Sequence, residues 1–140
     1  MFINIPDVII LTETWLNYKI DDQELGLNNY YVYRRDRKLK NDKIVKGGGV
    51  LIAIAKSLKS SAISNIQTSN TVIDELYVKV KLKNNIKYVF GVVYIPPYAV
   101  VKDYQIHIEN AEKISYQFKD HKFIYCGDYL QKLSGTTRKH

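Results

Sequence analysis

Cysteine is nearly absent. Cys126 is the only one in 140 residues, which excludes an intrachain disulfide framework, leaves no disulfide partner and fits a reducing compartment. No Cys/His cluster has the spacing of a zinc site. No run approaches the roughly 18 apolar residues of a membrane span, and the amino terminus has neither the basic region nor the apolar run of a secretory signal. The expectation is a soluble intracellular chain, nuclear or cytoplasmic, with no membrane contact. Internal repeats and low-complexity segments are also missing. Acids are fewer than bases, 14 against 21, for a net charge of +7, which favours an anionic partner such as nucleic acid. Glycine is sparse, with seven residues, yet three are consecutive at 47–49. They lead into the apolar run 50–55, a strand rather than a helix, without the Gly-Lys-Ser/Thr ending of a phosphate-binding loop. A tight turn or bulge is the reading there.

What is present is an ordinary globular composition, 46% apolar and 25% charged, in about one domain's length. Two stretches share one design: residues 8–13, VIILTE, and residues 123–128, FIYCGD. Each is a short apolar strand delivering an acid, Glu13 or Asp128, at its carboxyl end. Such strands can set two carboxylates side by side at one rim of a sheet, where a divalent metal or an attacking water is held. The competing reading is that acids after strands are turn residues. Cys126, inside the second strand, reads as a buried core thiol.

Between these stretches the pattern is mostly β. The unbroken apolar run 8–11 predicts burial on both faces. Residues 21–25 read as a short helical turn closed near Gly26. A Tyr-rich strand over 30–34 runs into the basic cluster Arg34, Arg35, Arg37 and Lys38, and residues 39–46 read as a mobile loop. Residues 59–66 suggest a short edge strand. Residues 74–82 alternate, placing Leu76, Val78, Val80 and Leu82 inward and Tyr77, Lys79 and Lys81 on a wet face. Asn84-Asn85 turns this strand into a central one over 87–95, ended by Pro96-Pro97. Asp103 is placed to cap a helix running to about Lys119, with Tyr104, Ile108, Ala111 and Phe118 as its apolar stripe. His107, His121 and His140 read as surface residues. One long helix among hairpins points to an α/β sandwich rather than a doubly wound sheet.

Six of these stretches, in order, resemble the endonuclease/exonuclease/phosphatase superfamily with its DNase I-like fold: PDVIILTETWL at 6–16, YRRDR at 33–37, GGGVLIA at 47–53, DEL at 74–76, VYIPP at 93–97 and CGDY at 126–129. The nearest likeness is to the apurinic-endonuclease-like domain of non-LTR retrotransposons. The resemblance implies two mixed β-sheets flanked by helices, here incomplete at both ends, over residues 1–133 with a frayed basic tail at 134–140. It implies Mg²⁺-dependent hydrolysis of DNA phosphodiesters. In that pattern Glu13 holds the Mg²⁺ ion, Asp128 orients or deprotonates the attacking water, and Tyr94 reaches toward the phosphate. The basic cluster would contact nucleic acid.

Two departures weaken the catalytic expectation. The pattern's asparagine is replaced at Leu130, and no histidine sits in a Ser-Asp-His motif. Impaired turnover follows from the loss of positioned polar groups. The alternative is a noncatalytic remnant that is inert or binds nucleic acid through its basic surface. Exposed strand edges would also invite self-association.

Overall fold

The protein's structure, a computed structural model, describes residues 5–37 and 47–127. Lys38, Asp128, residues 39–46 read as a loop and the basic tail lie outside the described residues. Among the described residues, seven strands form two sheets. The first contains β1 (Val8–Thr12), β2 (Tyr30–Arg35) and β3 (Val50–Ala55) in the order β1-β3-β2, antiparallel throughout. The second contains β4 (Lys59–Ala62), β5 (Asp74–Lys81), β6 (Lys87–Tyr94) and β7 (Lys122–Gly127) in that order. Its β4-β5-β6 meander is antiparallel, and β7 joins β6 in parallel. Parallel pairing needs a crossover, and helix α1 (Val101–Gln117) supplies it.

The sheets pack face to face because alternate residues of each are apolar. Val50, Ile52 and Ile54 of β3 meet Leu76, Val78 and Val80 of β5 and Phe90 and Val92 of β6. The other face of the second sheet is not wet. Tyr77 and Val89 pack under Ile114 of α1, with Ile63 beside them, so Tyr77 is buried while Lys79 and Lys81 are exposed. Alternation along one strand reports two faces, and only the carboxyl end of the outer one, at Lys79 and Lys81, reaches solvent.

β1 is an edge strand, half-buried with Leu11 exposed, rather than covered on both faces. The buried side of α1 carries Asp103, Ile106, His107, Asn110 and Ile114, so the apolar stripe through Ile108 is misphased and Ile108 is 52% exposed. Asp103 is the third helical residue rather than the cap. Its carboxylate accepts the Val100 N–H at 2.9 Å and the Val72 N–H at 3.1 Å, tying the helix start to the segment before β5.

His107 is likewise buried, not at the surface. Its Nδ1 pairs with the Glu75 carboxylate, to which Asn110 donates from the next turn and the Tyr77 hydroxyl donates at 3.4 Å. Burial and the Glu75 charge hold the Tyr77 phenol protonated by raising its pKa. Cys126 is half-buried instead of a core thiol, and it lines an apolar groove of about 820 Å³ between α1 and β7 with Ile108, Tyr116 and Tyr125.

Candidate functional site

Register places the interesting strand ends together. Thr12, the last residue of β1, pairs with Val50, the first of β3. Arg35, the last of β2, pairs with that same Val50. In the other sheet Asp74, the first residue of β5, pairs with Tyr94, the last of β6, and Val93 pairs with Gly127, the last of β7. The two apolar strands that deliver acids therefore belong to different sheets of the sandwich, with β1 stacked over β6 and β7. Asp128, next in the sequence, lies outside the described residues.

The three glycines join the two sheets at this rim. Gly47, Gly48 and Gly49 have φ of 84°, 67° and 87°, values that side chains with a Cβ rarely adopt. Space is closed to a Cβ as well: at Gly48 it would stand 2.5 Å from the Arg37 guanidinium, and at Gly49 2.5 Å from the Thr14 hydroxyl. The tight path lets the Gly49 carbonyl accept the Thr14 N–H at 3.3 Å and the Gly48 carbonyl accept the Trp15 N–H at 3.0 Å. These bonds support two non-glycine residues in left-handed conformation, Glu13 at φ 52° and Trp15 at φ 58°, a backbone cost that neighbours must offset. Glu13 is thereby turned out of β1 and is exposed to solvent.

Across the sandwich, the Gly49 N–H donates to the Asp74 carboxylate at 3.0 Å. The same carboxylate oxygen lies 3.2 Å from a terminal nitrogen of Arg37, both side chains being at most 10% exposed. That nitrogen and Nε of Arg37 make no hydrogen bond, so the contact is an ion pair of poor directionality. The guanidinium stacks 5.1 Å from the centre of the Tyr94 ring and donates through its other terminal nitrogen to the Tyr98 hydroxyl. A continuous network thus runs from the backbone beside Glu13 through Gly49, Asp74 and Arg37 to Tyr94.

The basic cluster divides by role. Arg34 donates from Nε and both terminal nitrogens to Asp36, Asp22 and the carbonyls of Ile20 and Asn17, between 2.7 and 3.0 Å. All five guanidinium N–H groups face protein acceptors. The Asp36 hydrogen bond leads in raising its pKa. Arg34 pins the segment between β1 and β2. Arg37 belongs to the rim network, and Arg35 is half-buried beside it on β2. Asp74 stands in the sequence as the head of the DEL stretch at a strand start, with no site role attached; its part in the rim depends on the buried Arg37 cation it pairs with. Among the described residues, no group of three or more His, Cys, Asp or Glu side chains is placed to hold a metal ion, and no helix is long and apolar enough to cross a membrane.

No protein-family model matches the chain, and no curated protein does. Solved structures do match. The human Nocturnin catalytic domain with bound sulfate anion superposes with a TM-score of 0.60 at 15% identity, over 88% of this chain and 51% of that one. A truncated Caenorhabditis elegans TDP2 gives 0.50 at 14% identity, over 88% and 49%. The chain therefore spans about half the length of the structures it matches.

Proposed function

We propose, from the DNase I-like fold that this chain has, that the rim is a metal-dependent phosphodiester-hydrolysing site acting on DNA, of the apurinic-endonuclease-like type found in non-LTR retrotransposons. The observation that carries the reading is convergence: Glu13, Asp74, Arg37, Tyr94 and the end of β7 lie at one rim of two sheets. In this reading Glu13 is the Mg²⁺ ligand, Asp128 orients or deprotonates water, and Tyr94 contacts the phosphate.

The donor chemistry fits the metal. Glu13 offers an exposed hard oxygen, and Mg²⁺ is commonly held by one or two carboxylates with water and substrate phosphate completing its shell. When bound, the ion polarises a phosphoryl oxygen and offsets developing charge. The chain's own residues supply position. The glycine carbonyls fix the turn that exposes Glu13, and the Asp74–Arg37 pair lies against the Tyr94 ring.

Leu130 stands where the resembled pattern has an asparagine, so turnover in this reading is slow. The same residue favours a second reading, a noncatalytic domain that holds nucleic acid. Relaxation of supercoiled plasmid in Mg²⁺ separates the two. The expected outcome is slow nicking that falls about a hundredfold in Glu13→Ala, the scale of losing one transition-state charge contact. Equal nicking by wild type and variant contradicts the catalytic reading.

A further inference from the structure

We propose that Trp15 and Tyr98 form a stacking platform for unpaired nucleobases on the lip of this rim, so that the site takes single-stranded nucleic acid. The proposal deepens the phosphodiester reading of the same rim and rests on it for the path of the backbone. Stacking itself needs neither metal nor turnover.

Trp15 is the only tryptophan in the chain, and it is 60% exposed, as is Tyr98. Rings of this size are normally buried for the apolar area they remove from water. Neither is a floppy surface residue. Trp15 is held in left-handed conformation by its N–H bond to Gly48, and its indole nitrogen lies 4.0 Å from where a Cβ on Gly47 would stand. Tyr98 follows Pro96-Pro97 in a turn closed by the Ala99 N–H donating to the Pro96 carbonyl at 3.0 Å. Its hydroxyl is held by Arg37.

Both rings are thus anchored to one patch. Gly48 holds Trp15 and packs on the Arg37 guanidinium, which in turn holds Tyr98 and stacks on Tyr94. Immobilised exposed aromatics suit unpaired bases, whose ring faces are free. The faces of paired bases in a duplex are already stacked. The net charge of +7 favours the polyanion over an uncharged or basic peptide.

The test is fluorescence of Trp15 in the whole chain, titrated in EDTA at low salt with a twelve-residue oligothymidylate. Saturable quenching is expected. Tyr98→Ala should weaken binding about five- to hundredfold, whereas Tyr98→Phe, which keeps the ring and loses only the hydroxyl that Arg37 holds, should weaken it less. An abasic oligomer of equal length and charge should bind at least about fivefold more weakly to the unaltered protein, a comparison that needs no variant to fold. The inference is overturned if the abasic oligomer binds as tightly, if Tyr98→Ala binds as tightly as the unaltered protein, or if Trp15 emission stays constant at saturation. Nicking that depends on Glu13 without quenching overturns this inference alone, and quenching without nicking leaves it standing while removing the catalytic reading.

Discussion

Glu75→Ala is expected to destabilise the fold by about 3–5 kcal/mol, the cost of removing one member of a buried charged network. Glu75 is 2% exposed on β5, facing α1. Its carboxylate serves His107, Asn110 and Tyr77 at once. Alanine leaves the His107 ring nitrogen without that acceptor and opens a void under the helix. Asn110 loses less, because it also donates to the Gln67 carbonyl at 2.8 Å and accepts the Gln67 N–H at 2.9 Å. Glu75→Gln keeps the shape and one acceptor oxygen, so its cost should be closer to 1–2 kcal/mol, roughly one ordinary hydrogen bond with its charge assistance lost. Urea unfolding measures both, and the midpoint should fall with little change in slope. A loss below about 1 kcal/mol for the alanine variant would mean that the network is not what fastens α1 to the second sheet.

Gly127→Ala should cost a comparable amount and act at the rim itself. Gly127 ends β7 with φ 131°, and a Cβ there would stand 2.0 Å from the Val93 carbonyl oxygen and 3.1 Å from its nitrogen. That obstacle is the backbone of the neighbouring strand, which cannot rotate away. Either the last β6–β7 pairing opens or the chain twists out of the sheet, at about 3 kcal/mol or more. Gly91 makes a useful contrast. A Cβ there would meet Tyr77 and Tyr125 ring carbons at 2.9–3.0 Å, a smaller overlap and against side chains rather than backbone, so Gly91→Ala should be milder. Amide hydrogen exchange locates the damage: faster exchange confined to β7 and the end of β6 is expected for Gly127→Ala. Wild-type protection there would contradict the close approach.

Much of this architecture is legible in the sequence because it rests on local chemistry. Strand runs, the Gly26 and Asn85 turns and the break at Pro96-Pro97 each depend on neighbours in the chain. So does the Gly47–Gly49 passage, read as a turn from its lack of a phosphate-loop ending and found with three positive φ values. What failed depended on partners distant in sequence. The stripe of α1 was misphased because its buried side carries Asp103, His107 and Asn110, polar residues that an apolar count assigns to solvent. They are tolerated there because Glu75, Val72 and Gln67 supply partners. Arg34 and Arg37 read alike as basic-cluster residues, and only tertiary acceptors tell them apart: Arg34 is fully bonded to the protein, while Arg37 bridges Asp74 and two tyrosines. Glu13 was visible as an acid after an apolar strand. Its outward turn, made possible by glycine carbonyls some 35 residues away in the chain, was not.

The most direct test of the account is a two-dimensional amide NMR spectrum of the chain titrated with Mn²⁺. Paramagnetic broadening should concentrate at Glu13 and its neighbours Thr14 and Trp15, reach Gly48, Gly49 and Gly127 across the rim, and vanish from all of them in Glu13→Gln. Dispersed peaks that broaden uniformly, or broadening at the rim that survives Glu13→Gln, would contradict a metal site built on Glu13.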